Sequence, residues 1–199
     1  MRLVIASNNA GKIREIREII GDWFDEVCSL GDLGISLEVE EDGDTFAYNA
    51  QKKAREVCAV TGLCALGDDS GLCVDFLGGA PGVYSARFAG ERANDDENNR
   101  KLLEQMADVP AEKRGARFVC CMALCYPDGR MLTVEGECRG SIAHVPAGDR
   151  GFGYDPVFYV EELGKTFGEI DDQTKNRISH RAVALGMLKQ ELERRSGGA

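Results

Sequence analysis

Residues 2–6, RLVIA, make an apolar run only five residues long, and isoleucines follow at 13, 16 and 20. A short unbroken apolar run fits a strand buried on both faces, and the three- and four-residue spacing fits one side of a helix. The chain therefore opens with a strand that passes straight into a helix from about Ala10, with Asn8 or Asn9 placed to cap it. This alternation of period is what most restricts the fold.

The change of period recurs. EVCSL (26–30) reads as a second strand. In TFAYNAQKKAREVCAV, residues Phe46, Ala50, Ala54, Val57 and Cys58 share a helical face that Gly62 ends. LCALG (63–67) is a strand running into DDSG, and LCVDFL (72–77) another, before a loop over 78–90. Leu102, Leu103 and Met106 mark an amphipathic helix over 95–107. ARFVCCMALCY, PDG and RMLTVEGECRG form a hairpin. PAGDRGFGYDPVF is a Gly- and Pro-rich loop, and a last helix runs from about Ser179 to Arg194. Strands alternating with helices, plus an antiparallel hairpin, predict an α/β fold with a mixed central sheet flanked by helices. Residues 1–195 are expected to form one domain, and 196–199 a flexible tail.

Composition narrows the function. The chain of 199 residues carries a net charge of -10, which repels polyanions and argues against nucleic-acid binding. A small phosphorylated ligand needs only a few local cations. No apolar stretch approaches the ~20 residues of a membrane span, and no export signal is visible, so a cytoplasmic location is expected. The eight cysteines include no Cys-x-x-Cys pair, and two histidines are too few to suggest zinc. Most of these thiols sit among apolar neighbours, as core residues do.

Five stretches could carry chemistry. SNNAGK joins the first strand to the first helix. It is not a P-loop, because that pattern needs Gly where Ala6 stands and Ser or Thr where Ile13 stands. A helix N-terminus with Lys12 nevertheless attracts anions, although a capped helix with a surface lysine explains the fragment as simply. GDDSGL places Asp68 and Asp69 at the expected end of a strand. Adjacent carboxylates are tolerated where a cation or a catalytic proton offsets their repulsion, and oxygen ligands suit Mg²⁺; an Asx turn is the plainer reading. The acidic run Glu38, Glu40, Glu41, Asp42 offers a further ligand or merely a solvated turn. GFGYDPVF could stack aromatics on a planar base and accept from ring N–H groups. TKNRISHR gathers Lys175, His180 and Arg181, with Arg suited to phosphate or carbonyl oxygens. Together these are the parts of a nucleoside-triphosphate enzyme. A phosphatase releasing single phosphates and a non-hydrolysing nucleotide sensor are the alternatives.

The set SNNAGK, DGDTFAYNAQKKA, DDSGLCVDFLGGAPGVYSARFAG, GFGYDPVF and SHR, in this order from Leu3 to about Leu188, resembles the inosine triphosphate pyrophosphatase (Ham1-like) family. The resemblance implies a two-lobed fold with the active site in the cleft. It also implies a homodimer, a Mg²⁺ requirement, and hydrolysis of ITP, dITP and XTP to monophosphate and pyrophosphate. Matched residue by residue, Ser7, Asn8, Asn9, Ala10, Gly11 and Lys12 would grip the triphosphate, with Lys53 as a further phosphate contact. Asp69 would be the general base and, with Glu40, a metal ligand. Ser70 would touch substrate; Phe152, Gly153, Tyr154 and Asp155 would surround the base, and Lys175, His180 and Arg181 would complete its pocket. One departure stands out: Tyr48 precedes Asn49 where many family members have Glu.

Overall fold

The computed structural model describes residues 2–196. The elements are β1 (Arg2–Ala6), α1 (Ala10–Ile20), β2 (Glu26–Ser29), α2 (Phe46–Thr61), β3 (Cys64–Val74), α3 (Asp95–Gln105), β4 (Gly115–Cys125), β5 (Met131–Ile142), β6 (Phe158–Val160), β7 (Lys165–Thr166), α4 (Asp172–Ile178) and α5 (His180–Ser196). The strands hydrogen-bond in the order β2-β1-β3-β4-β5-β6-β7. β1 runs parallel to both β2 and β3, whereas β6 is antiparallel to β5 and β7, so the sheet is mixed. The α/β expectation holds.

Contacts divide the chain into two compact units. The first comprises the chain up to Asp69, Cys120–Gly136 and the chain from His180 onward; the second comprises Ser70–Val119 and Glu137–Ser179. In the first, strand residues alternate between two cores. Leu3, Ile5, Cys64, Leu66, Cys120, Met122 and Leu124 pack with Ile16 and Ile20 of α1 and Leu185 and Leu188 of α5. Val4, Ala6, Ala65, Cys121, Ala123 and Cys125 pack with Ala50, Ala54, Val57 and Cys58 of α2. Strands covered on both faces read as continuous apolar runs, which is why RLVIA shows no alternation. Each fully buried Ile or Leu contributes about 1.5–3 kcal/mol.

Small residues on α2 let it approach closely. A Cβ added to Gly67 would lie 2.1 Å from the Ala50 carbonyl oxygen and 2.9 Å from the Ala54 nitrogen. In the second unit, Phe118, Phe158 and Phe167 form an aromatic cluster with centroids 4.7 and 5.0 Å apart for the pairs through Phe158, and Leu72, Val74, Leu102 and Met106 surround it.

Three expectations need amendment. Most of LCALG and the start of LCVDFL belong to one eleven-residue strand, so the aspartates stand inside β3 and not at its end, and Asp75–Leu77 forms a 3-10 turn after it. A strand can carry them there because each carboxylate has fixed cationic partners. The segment before the last helix contains a separate short helix, α4, capped by Asp171 through the Thr174 N–H. Its seven residues are too few for periodicity to reveal. A two-strand hairpin, β6–β7, was likewise too short to read. Of the expected tail, Ser196 ends α5 and residues 197–199 lie outside the described residues. None of the eight cysteines forms a disulfide, and among the described residues no helix is long and apolar enough to cross a membrane.

Candidate active site

The turn from β1 into α1 is built by its own side chains. Asn9 caps the helix by accepting from the Lys12 N–H at 3.0 Å, and the Asn9 N–H donates to Ser7 Oγ at 3.1 Å. Asn8 donates to the Leu37 carbonyl at 3.1 Å. Asn8, Asn9 and Ala10 are exposed at the helix N-terminus, while the Lys12 ammonium turns inward.

Lys12 reaches Asp68 at 2.7 Å. The Asp68 carboxylate also accepts from Arg181 Nε at 2.8 Å and Nη2 at 3.4 Å, and from the Cys120 thiol at 3.5 Å. Arg181 Nη1 donates to Glu15. Glu15, Arg181, Asp68 and Lys12 thus form a buried chain of alternating charge. Burial by itself would push the Asp68 carboxyl up, but Arg181 and Lys12 hold it well below the usual carboxylate range. Burial and the Arg181 charge oppose the Lys12 ammonium, and Asp68 and Asp69 together raise it. Arg181 is the largest fully buried side chain, 1% exposed, with its donors aimed at carboxylates.

Asp69 has another set of partners, all from α2 and the acidic segment. It accepts from Lys53 Nζ at 3.2 Å and from Asn49 Nδ2 at 3.1 Å. Lys53 also pairs with Glu41 at 3.0 Å, and the Glu41 and Asp69 carboxyl groups hydrogen-bond each other. Burial, opposed by Lys53 and Lys12 and reinforced by Glu41, leaves the Asp69 carboxyl pushed up to about 6. A carboxyl poised there can accept a proton near neutral pH.

The acidic segment has no regular structure, yet its exposure alternates: Leu37, Val39, Glu41 and Gly43 are half-buried, and Glu38, Glu40, Asp42 and Asp44 are exposed. A period of two is that of extended chain. It turns Glu41 toward Asp69 and Glu40 outward, where the Glu40 charge acts on Lys52. Asn49, 1% exposed, fastens this segment: Oδ1 accepts from the Gly43 N–H at 2.9 Å and Nδ2 donates to the Gly43 carbonyl at 3.3 Å. The Tyr48 ring is 53% exposed and lies against Gly43, where a Cβ would come within 2.2 Å of it.

Two carboxyl groups in mutual contact must share either a proton or a cation. Lys53 bridges Glu41 and Asp69 at 3.0 and 3.2 Å, and the two carboxylates are also of the oxygen kind that a hard divalent ion takes, one or two at a time with several waters kept. Among the described residues no group of three His, Cys, Asp or Glu side chains converges on one point.

The remaining expected residues lie in the second unit, apart from His180, which is buried at the start of α5. Ser70, half-buried, follows Asp69 on β3. Asp155 accepts from the Phe152 N–H at 2.8 Å and from Lys175 at 2.6 Å. Lys175 lies 4.8 Å from the centroid of the Phe152 ring. The Tyr154 hydroxyl donates to the Ser85 carbonyl at 2.8 Å. Gly153 adopts a φ of 63°, in the left-handed region that glycine enters without strain.

Sequence reasoning missed Glu15 and Asn49. Both left a trace. Glu15 stands three residues after Lys12, on the same side of α1, and Asn49 is a poor helix former four residues before Lys53, on the buried side of α2.

A mixed α/β sheet with an interior strand that carries one ionised, charge-paired aspartate and one aspartate pushed up toward neutral pH is an enzyme-like scaffold. The family model of the Ham1 family matches residues 3–191, and the chain belongs to that family. It is 52% identical over 194 residues to the dITP/XTP pyrophosphatase of Desulforamulus reducens, covering 98% of this chain and 96% of the relative. The dITP/XTP pyrophosphatase of Geobacter sulfurreducens is 51% identical over 191 residues, covering 96% of each. The solved structure of a HAM1 protein from Coxiella burnetii superposes with a TM-score of 0.87 at 40% identity, covering 98% of this chain and 99% of that one.

Proposed function

We propose that this protein is a nucleoside-triphosphate pyrophosphatase that hydrolyses deaminated purine nucleotides, ITP, dITP and XTP, to the monophosphate and pyrophosphate. The observation that carries the reading is Asp69: a buried carboxyl on the interior strand β3, pushed up to about 6 and held between Lys53 and Asn49. The names of the relatives agree with it.

Ser7 through Lys12 and Lys53 bind the triphosphate, using the N–H groups of α1 and two ammonium charges. Asp69 takes the proton from the attacking water, and Asn49 holds its other oxygen in place. Asp69 and Glu41 would hold Mg²⁺, which would supply positive charge against the phosphates; Glu40 stands on the outward side of the same acidic segment. Ser70 contacts substrate. Phe152 and Tyr154 flank the base, with Gly153, Asp155, Lys175 and His180 completing its pocket. Arg181, its guanidinium engaged by Asp68 and Glu15, holds the start of α5 and sets the Asp68 carboxylate against Lys12. Action on a free nucleotide in the cytoplasm, as a homodimer, belongs to the same proposal.

Incubation with Mg²⁺ and ITP, XTP, GTP or ATP, assayed for both pyrophosphate and orthophosphate, tests it. Pyrophosphate from ITP and XTP with little from ATP and GTP is expected. Orthophosphate as the main product would overturn the reading in favour of a phosphatase.

A further inference from the structure

Helix α3 carries none of the residues assigned above, yet it holds two of the motif loops by their backbones. On its buried side stand two consecutive asparagines, 3% and 6% exposed. Asn98 Oδ1 accepts from the Ala89 N–H at 2.8 Å and its Nδ2 donates to the Ala86 carbonyl at 3.2 Å, fixing the YSARFAG loop. Asn99 Nδ2 donates to the Gly153 carbonyl at 2.9 Å. Asp95, one turn earlier, accepts from the Gly153 N–H at 2.7 Å. Both polar groups of Gly153 are therefore taken by one helix.

That helix is itself anchored. Asn94 and Glu97 form a reciprocal capping box at 2.9 Å each way, and Leu102 and Met106 are fully buried. Asn99 is an expensive choice for packing alone, since its Oδ1 is buried without a hydrogen-bond partner. An apolar side chain would avoid that cost. Turning the amide end for end would set oxygen against the Gly153 carbonyl oxygen. The side chain is oriented by its donor.

We infer that Asp95 and Asn99 are positioning residues for base selection: by clamping the Gly153 peptide they fix the directions of Phe152 and Tyr154 on either side of it. This rests on the proposed function, which assigns those two aromatics to the purine. A glycine in the left-handed region has freedom that the clamp removes, so the selective geometry comes from α3 and not from the loop itself.

The test uses the full chain with Asn99→Asp, which keeps the shape but removes the donor, and Asp95→Ala, at an exposed position where the fold is not at risk. Amide hydrogen exchange of the peptide spanning 150–156, without ligand or metal, is read first; both variants should speed exchange there. Pyrophosphate release is then compared for XTP and for UTP, which shares the triphosphate but not the purine. Loss of one hydrogen bond predicts about a tenfold fall in the XTP-to-UTP ratio of kcat/KM for Asn99→Asp, arising in KM, and a smaller fall for Asp95→Ala. Asn98→Asp disturbs the same helix without touching Gly153, and should lower stability but leave the ratio unchanged. An unchanged ratio in folded Asp95→Ala and Asn99→Asp, or an equal fall in Asn98→Asp, overturns the inference. If the unsubstituted protein releases no pyrophosphate from any purine triphosphate, the functional reading fails, and the exchange measurement still decides whether the clamp exists.

Discussion

Asp68 and Asp69 are consecutive on β3, and their carboxyl groups face opposite sides of the sheet. Asp68 meets Lys12 of α1 and Arg181 of α5; Asp69 meets Asn49 and Lys53 of α2. Successive strand residues point to opposite faces, so two identical side chains acquire unlike environments. One is held ionised as a fixed counter-ion, and the other is poised to exchange a proton.

Asp69→Asn keeps the hydrogen-bonding shape and removes the base. Pyrophosphate release should fall by about 10²–10⁴-fold with the far-UV circular dichroism unchanged. Activity retained in a folded variant would refute the assignment of Asp69 as base.

Asp68→Ala leaves Arg181 and Lys12 buried with a carboxylate missing between them. Breaking a buried pair from one side typically destabilises by about 3–5 kcal/mol. Urea unfolding should show that loss for Asp68→Ala and also for Arg181→Ala, which removes the guanidinium held between Asp68 and Glu15. If Asp68→Ala unfolds at the same urea concentration as the parent, the charge chain is not structural.

The two carboxyls give opposite pH signatures. Asp69 binds its proton more tightly in the native state than in the unfolded chain. Its contribution to stability is therefore present below the ordinary carboxylate value and is lost as pH rises through about 6. Asp68, held low, contributes above the ordinary carboxylate value, and that contribution is lost as pH falls through its lower native value. Urea titrations of metal-free protein across this range should show Asp69→Asn flattening the decline toward neutral pH. In turnover, Asp69 must be ionised to act, so kcat/KM should rise with pH through about 6.

Gly136→Ala should loosen the start of α5. The added Cβ would sit 2.4 Å from the Ala184 nitrogen and 2.5 Å from the His180 oxygen, both backbone atoms that cannot swing aside. A loss of about 1–3 kcal/mol is expected by thermal or urea unfolding, accompanied by reduced turnover as His180 and Arg181 shift. Unchanged stability would mean the helix has slack there.

Tyr48→Glu replaces an exposed ring beside the acidic segment with a carboxylate. Stability should change by no more than about 0.5 kcal/mol. Mg²⁺ binding to the substrate-free protein, followed by calorimetry, should tighten; weaker binding would show that the ring itself supports the segment through Gly43.

Much of this was legible in the chain. The unbroken apolar run RLVIA, the three- and four-residue spacing of the isoleucines after it and the face Ala50–Ala54–Val57 placed β1, α1 and α2, because burial of those faces is a local requirement on spacing. Asn9 and Gly62 marked helix ends, since capping is satisfied within one turn. Lys12, Asp69 and Arg181 stood out in their motifs as groups that could handle phosphate or metal, and Lys53 through the family resemblance. Their partners were not legible. Glu15 and Arg181 are 166 residues apart in sequence, and no local spacing records that pairing. Glu41 and Glu40 differ only in which side of an extended segment they occupy, which Asn49 fixes by holding Gly43.

The sequence by itself determined the alternation of strand and helix, the two-sided burial of β1, and which residue types could handle phosphate. Tertiary structure alone decided that Asp68 is a counter-ion and Asp69 a proton acceptor, and that α3 holds Gly153. Periodicity is a property of neighbours along the chain. The charge state of a buried carboxyl depends on what the fold brings within hydrogen-bonding distance.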